Sequence, residues 1–286
     1  MAIQLSTNIS VQQLIECIPN FDGSAWSVEP LHGGSSNRCY LLSRNNERLV
    51  FRLNQAQAVG VHRARELAIH QQLALRGMAP IVVAGDPKSY LLTEYVAGPR
   101  WALGDTRQPD RLRALGKYLR VLHEVPVDEL SQFPAFDLTE ITARYWADPM
   151  VANDPALERI KGEATNLLRM LGNEGWLSHR ACLCHHDPIF RNLFGDSALQ
   201  MIDWEFSAVG NPLLDLGLFV SYHDLPHDLA APLYESYFGI CSKIELQRMA
   251  SAIRVAQLLE LLWLISKPKL PVAMRQRLGQ LRLIWS

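Results

Sequence analysis

The sequence is short of cysteine, of net charge and of long apolar runs, and each shortage excludes a class of protein. Its five cysteines among 286 residues are odd in number and irregularly spaced, so they predict no disulfide framework. A formal net charge of −1 at pH 7 provides no basic excess, which excludes nucleic acid as the main partner. No apolar run reaches the ~20 residues that a membrane span requires, and no secretion signal is evident. We therefore expect a cytoplasmic protein without a membrane partner.

A complete zinc site is also missing. The run C-x-C-H-H from Cys182 to His186 contains metal-ligand residue types, but its spacing fits no common zinc pattern. No second cluster supplies further ligands, and adjacent histidines on a strand would point to opposite faces. We expect no metal–thiolate site here.

Chemistry-bearing residues are concentrated in the stretch 183–217. His185, Asp187 and Asn192 form the pattern H-x-D-x-x-x-x-N, and Asp203 closes the next apolar run within I-D-W-E. Two short apolar runs around a Gly-Asp turn lie between them, which predicts a β-hairpin. Such a hairpin would bring Asn192 close to Asp203.

This stretch could place a set of oxygen ligands together. Pro188 disfavours a helical conformation at Asp187, so this aspartate is expected on a loop. A carboxylate that orients a hydroxyl, with an Asn and a second Asp as hard oxygen ligands for Mg²⁺, suits phosphoryl transfer. The alternative is an ordinary hairpin, since Asp and Asn are common beside Gly and Pro.

These motifs resemble those of the aminoglycoside phosphotransferase and choline kinase family, which shares the protein-kinase fold. The I-D-W-E run is similar to the second motif of bacterial choline and thiamine kinases. The resemblance implies an enzyme that uses ATP and Mg²⁺ to phosphorylate a small-molecule alcohol. It implies that Asp187 is the catalytic base, that Asn192 and Asp203 are metal ligands, and that His185 and Asp215 hold the loop.

The N-terminal part contains the expected nucleotide site. The G-G-S-S-N run at 33–37 lies between two predicted strands; it is either a plain hairpin turn or a loop whose backbone amides cover phosphates. By resemblance, Arg52 on the next strand holds phosphates, Glu66 on the following helix pairs with it, and the main chain of 94–96 reads adenine. The expected cofactor-binding residues are Gly33, Gly34, Ser35, Ser36, Asn37, Arg52, Glu66, Glu94, Tyr95 and Val96.

The order of predicted elements is strands first and helices later, which indicates an α+β fold with two lobes. Hydrophobic residues make up 48% of the chain, enough for a sizeable core. We predict a nucleotide-binding lobe over 1–97, an antiparallel sheet with one helix, and a larger, mostly helical catalytic and substrate lobe over 98–286. The catalytic oxygens are expected in a crevice between them.

The acceptor is predicted from aromatic and acidic residues near the later helices. Aromatic faces with carboxylates suit an organic cation, such as choline or the thiazolium of thiamine. The candidate acceptor residues are Glu205, Trp204, Tyr222, Asp224, Glu260 and Trp263. For each aromatic residue the alternative is ordinary core packing. Two further hypotheses stay open: an aminoglycoside, homoserine or sugar kinase, and an inactive nucleotide-binding regulator.

Overall fold

The computed structural model describes residues 10–31, 37–55, 58–173, 181–196 and 198–285. The chain divides into two compact units. The first unit comprises Met1–Pro99 and Gln200–Glu205, and the second comprises Arg100–Leu199 and Phe206–Ser286. The segment that contains Asp203 therefore belongs to the N-terminal unit. The predicted division after residue 97 had placed this segment in the second lobe.

The first unit is built on an antiparallel sheet of order β1-β2-β3-β5-β4. Its strands are β1 (Ser27–Leu31), β2 (Arg38–Arg44), β3 (Glu47–Leu53), β4 (Val82–Asp86) and β5 (Tyr90–Glu94). Helix α1 (Val11–Glu16) begins at a capping box in which Ser10 and Gln13 exchange hydrogen bonds. Its buried face, Leu14 and Ile15, packs into one apolar cluster with Trp26, Leu42 and Phe51.

The two faces of strand β3 carry different kinds of residue. Leu49 and Phe51 are buried in the apolar cluster, whereas Arg52 points to the opposite face. Helix α2 (Arg63–Ala74) provides the residues that meet it there; His62 caps its N-terminus by accepting the Arg65 amide. The alternation of side chains along β3 therefore places the Arg52 guanidinium beside helix α2.

The second unit is mostly helical. Its helices are α3 (Pro109–Leu122), α4 (Leu138–Trp146), α5 (Pro149–Ala152), α6 (Leu157–Asn173), α7 (Pro212–Tyr222), α8 (His227–Phe238), α9 (Lys243–Ile265) and α10 (Val272–Ile284). The short helix α5 begins at Pro149, and the Asp148 side chain caps it by accepting the Met150 amide. Helix α3 packs closely against α8, and a Cβ at Gly116 would lie 2.5 Å from the Leu233 carbonyl oxygen.

Short strands lie on either side of the predicted catalytic residues. They are β6 (Cys182–Cys184), β7 (Leu193–Phe194), β8 (Gln200–Met201) and β9 (Ala208–Gly210), of which β8 belongs to the first unit. Within the second unit β6 pairs with β9, and the Trp101 amide donates to the Leu193 carbonyl. The turn after β7 needs glycine, since Gly195 has φ +87° and a Cβ there would meet the Ala198 carbonyl.

The five-stranded antiparallel sheet followed by a helical remainder confirms the predicted α+β fold class. In the part of the chain that the structure describes, no helix is long and apolar enough to cross a membrane.

Candidate active site

The segment 185–192, here called the catalytic loop, links β6 to β7 in the second unit. The Asn192 side-chain amide donates from Nδ2 to both the backbone oxygen and Oδ2 of Asp187, each at 3.0 Å. The Asp187 amide in turn donates to His185 Nδ1 at 3.2 Å. Hydrogen bonds thus join His185, Asp187 and Asn192. Because Asn192 Nδ2 donates to a carboxylate, Asn192 Oδ1 remains as a hydrogen-bond or metal acceptor.

A buried carboxylate on α7 holds the beginning of this loop. Asp215, fully buried, accepts the backbone amides of His185 (2.8 Å) and His186 (2.7 Å) and lies 3.1 Å from His123 Nε2. Burial alone would raise the pKa of Asp215, but the hydrogen bond and charge of His123, the charge of His186 and the His185 amide lower it to about 2. The ionised Asp215, hydrogen-bonded to His123, therefore supports the start of the loop.

Two residues of the candidate site adopt a left-handed backbone conformation. His186, which precedes Asp187, has φ +61°, and Asp203 has φ +66°. Residues other than glycine pay for this conformation, and such strained positions tend to occur where a side chain must be aimed for function.

The first unit contains a buried network of alternating charges. Arg52 Nη1 donates to Glu66 Oε1 at 2.5 Å and lies 3.6 Å from Asp203 Oδ1. Burial alone would lower the pKa of Arg52, but the neighbouring Glu66 holds it above its usual value. Burial alone would raise the pKa of Glu66, but Arg52 and Arg63 lower it. The expected strand–helix pairing is present in the geometry.

Arg63 is a member of this network that the sequence reasoning missed. Its Nη1 donates to Glu66 Oε2 and Glu205 Oε2, both at 2.9 Å, and its Nη2 donates to Asn37 Oδ1 at 2.9 Å. Asn37 also donates to Glu205 Oε2 at 2.8 Å. The one feature of the sequence that could have indicated the role of Arg63 is its position three residues before Glu66 on the same helix.

Asp203 and Glu205 form an acidic pair that fits a divalent cation. The Asp203 carboxylate is partly exposed and has no hydrogen bond to another described residue; Glu205 uses Oε2 for Arg63 and Asn37. Desolvation and the nearby Glu205 charge raise the pKa of Asp203 to about 7, although Arg52 opposes the shift. An underneutralised carboxylate with hard oxygens is the donor type that Mg²⁺ requires.

The residues expected to read adenine lie at the end of β5. The Glu94 amide donates to Ile81 and the Tyr95 amide to Arg48, so both are occupied. Within the described ranges, the Val96 amide has no partner. Of the predicted phosphate loop, Gly33, Gly34, Ser35 and Ser36 lie outside the described residues.

A polar group in the second unit surrounds Tyr222. Burial raises the pKa of Tyr222 well above its usual value, and the charges of Asp187 and Glu260 act in the same direction. Arg277 donates to both Glu260 oxygens at 2.9 and 2.8 Å and to the Ser221 carbonyl at 2.6 Å. Sequence reasoning missed Arg277, which lies in no recognisable motif.

The remaining acceptor candidates differ in accessibility. Trp204 is fully buried and its Nε1 donates to the Met201 carbonyl, which indicates a packing role. Trp263 is half-buried and its ring is covered on one side by Lys267 at 4.7 Å. Asp224 is exposed with φ +46° and lies 3.7 Å from Arg277.

Solved structures share this fold. A choline/ethanolamine kinase family protein from Mesorhizobium loti has a TM-score of 0.76 at 22% identity, covering 96% of this chain and 92% of its own. Choline kinase from Cryptosporidium parvum has a TM-score of 0.72 at 16% identity, with 94% and 91% coverage. A spectinomycin phosphotransferase in complex with ADP and spectinomycin has a TM-score of 0.59 at 16% identity, with 97% and 98% coverage.

These likenesses confirm the predicted kinase-like fold. Comparison with curated proteins gave no match. The model of the phosphotransferase enzyme family matches residues 27–250, which is most of the chain and confirms the suspected family and the prediction of a phosphotransferase. This chain belongs to the phosphotransferase enzyme family.

Proposed function

We propose that the chain transfers the γ-phosphate of ATP to the hydroxyl of a small molecule, in the cytoplasm and with Mg²⁺. The observation that carries this proposal is the pair of hydrogen bonds from Asn192 Nδ2 to Asp187. They fix a carboxylate for a hydroxyl proton and at the same time leave an amide oxygen for a metal. Phosphoryl transfer needs this combination more than it needs a covalent nucleophile.

Asp187 orients the acceptor hydroxyl and receives its proton. His185 and Asp215 fix the backbone on the N-terminal side of Asp187 through the bonds described above. Asn192 contributes Oδ1 as a metal ligand. Because an Asn→Asp exchange would put two carboxylates side by side, the amide is the residue type that this position needs.

In the first unit, Asp203 is the other metal ligand and Arg52 contacts the nucleotide phosphates. Glu66 holds the Arg52 guanidinium, whose fork can bind phosphate oxygens at two points. We assign the predicted phosphate-loop residues Gly33, Gly34, Ser35, Ser36 and Asn37 to the phosphates. The Glu94 and Tyr95 amides already donate to Ile81 and Arg48, so the adenine contacts assigned to 94–96 fall to the main-chain carbonyl groups and the Val96 amide. Mg²⁺ held by Asn192 and Asp203 would supply positive charge to offset the charge on the transferred phosphoryl group.

The acceptor we favour is a cationic alcohol of the choline or thiamine type. Tyr222 offers an aromatic group that feels the charge of Asp187, and Asp224 offers an exposed carboxylate. The names of the structural neighbours include choline kinases, which agrees with this class.

One observation favours a second candidate. Glu260 is neutralised by two hydrogen bonds from Arg277, so it adds little attraction for a cation. Arg277 Nη1 is near only Asp224 among the described residues, at 3.7 Å. An amino-acid alcohol such as homoserine, which has a carboxylate as well as an ammonium group, could use both residues.

The test is a turnover screen with choline, ethanolamine, thiamine, homoserine and kanamycin as acceptors. ADP release would be measured, and the phosphorylated product identified by mass spectrometry. Asp187→Asn should reduce kcat by roughly 10²–10⁴-fold without lowering the melting temperature, since a positioned base contributes about that much. Tight Mg-ATP binding with no turnover on any acceptor would instead indicate a nucleotide-binding regulator, and full activity in Asp187→Asn would refute the assigned base.

A further inference from the structure

His223 lies at the C-terminal end of α7 and is bonded at both ring nitrogens. The ring is 4% exposed. Its Nδ1 lies 2.6 Å from the Phe219 carbonyl oxygen, and its Nε2 accepts the backbone amide of Phe190 at 3.1 Å. The ring also makes an edge contact with the Phe190 side chain, with centroids 5.8 Å apart. Phe190 belongs to the catalytic loop, between Asp187 and Asn192.

The two partners fix the protonation state of the imidazole. A backbone N–H can only donate, so Nε2 must be unprotonated, and a carbonyl can only accept, so Nδ1 must carry the hydrogen. Burial lowers the pKa of His223 to about 4; the Phe219 carbonyl opposes the shift and the charges of Arg107 and Arg277 add to it. At neutral pH the ring is therefore a neutral acceptor aimed at the loop.

Helix α7 thus holds the catalytic loop at two points. Asp215, in its first turn, accepts the amides of His185 and His186, just before Asp187. His223 accepts the Phe190 amide, just after it. The two anchors are separated by eight residues, or about 12 Å of helix rise. A rigid helix that is buried along most of its length therefore spans both sides of the proposed base.

We propose that His223 is a positioning residue for phosphoryl transfer, which fixes the C-terminal half of the catalytic loop through the Phe190 amide. It acts through the backbone and does not touch the substrate. Asn192 reaches back from this half to Asp187, so the Phe190 anchor determines where both side chains lie. This inference rests on the function proposed above.

The test separates two properties of the His223 ring, which fills its buried space and accepts a hydrogen bond from the Phe190 amide. His223→Phe keeps an aromatic ring but leaves the Phe190 amide without its acceptor. His223→Gln can place Oε1 near the position of Nε2 and restore the bond. His227→Phe, an exposed histidine on α8, is the surface control.

Two readouts are needed, of which one is independent of catalysis. Exchange of the Phe190 amide with deuterium, followed by NMR in the full-length protein, should accelerate about tenfold in His223→Phe, in line with the loss of one hydrogen bond. With the best acceptor of the screen, kcat should fall by roughly 10²-fold while KM for ATP stays within about twofold, since a displaced reacting group mainly slows the chemical step. His223→Gln should recover most of both, and His227→Phe should change neither.

The outcomes separate this inference from the proposed function. Unchanged Phe190 exchange in His223→Phe would overturn the anchor, whether or not any acceptor is turned over. Faster exchange with wild-type kcat would overturn the positioning role. A kcat loss that His223→Gln fails to recover, despite restored Phe190 protection, would also overturn it. An inactive wild-type enzyme with every acceptor would contradict the proposed function and with it the catalytic role, leaving the exchange result as a test of the anchor alone.

Discussion

Among single residues, Asp203 combines a left-handed backbone, partial exposure and a pKa raised to about 7 by desolvation and by Glu205. A metal ligand must be ionised, so protons compete with Mg²⁺ below this pKa. Metal affinity should therefore rise as the pH increases through 7. Between pH 6 and pH 8 the ionised fraction grows about tenfold, and the association constant of the metal should increase by about the same factor.

The measurement is a titration of the ATP-free protein with Mn²⁺, followed by electron paramagnetic resonance. Asp203→Asn should bind the metal weakly and lose the pH dependence, because its amide does not titrate. Asp196→Asn, which changes an exposed carboxylate in the turn after β7, is the matched control and should behave like the wild type. Equal affinity at pH 6 and pH 8 in the wild type would contradict the metal role of Asp203.

At the scale of elements, Arg63 joins α2 to the segment 203–205. Its guanidinium lies between Glu66 and Glu205 and is 7% exposed as a side chain. Removing one partner of a buried ion pair leaves uncompensated charge, which costs more than the pair itself contributes. Arg63→Met should therefore lower the free energy of unfolding by about 3 kcal/mol.

Urea unfolding followed by circular dichroism measures this change. Arg48→Met is the matched control in the same unit, since Arg48 is exposed and stacks 4.3 Å from the Tyr95 ring. An exposed cation–π contact contributes about 1 kcal/mol or less. If both variants lost the same small amount of stability, the buried network would not be what holds α2 to this segment.

For the whole molecule, the sequence predicted elements better than contacts. The strand expected to carry Arg52 and the helix expected to carry Glu66 are present as β3 and α2. The sequence could not predict the pairing of Arg63 with Glu205, which are 142 positions apart. Such a contact depends on the tertiary path that brings the segment 203–205 back to helix α2, and no local sequence pattern encodes that path.

The candidate site shows the same division between local and long-range information. Asp187 and Asn192 lie within one short loop and are hydrogen-bonded, so their spacing sufficed to predict that they lie close together. The role of Glu260 could not be judged without Arg277, which follows on another helix and neutralises it. The predicted meeting of Asp187 and Asn192 with Asp203 around one metal stays a prediction.

Buried neutral histidines in both units make stability depend on pH. Burial lowers the pKa of His70 and of His223 to about 4 each. His70 Nε2 bonds the Pro80 carbonyl, and its Nδ1 is buried without a hydrogen-bond partner among the described residues. The unfolded chain takes up these protons near pH 6.5 and the folded chain only near pH 4, so acid favours unfolding.

The contribution of these two histidines to the free energy of unfolding should therefore be fully present above about pH 6.5 and be lost as the pH falls toward 4. At pH 5 each histidine should remove about 2 kcal/mol from the free energy of unfolding relative to pH 7.5. Asp215, with a pKa of about 2, withdraws its own contribution only at lower pH, below the usual titration of an aspartate. Urea unfolding at pH 7.5 and pH 5.0 tests this: His70→Leu should shrink the wild-type difference by about 2 kcal/mol, since leucine cannot titrate. An identical pH difference in the wild type and in His70→Leu would mean that folding does not lower the pKa of His70.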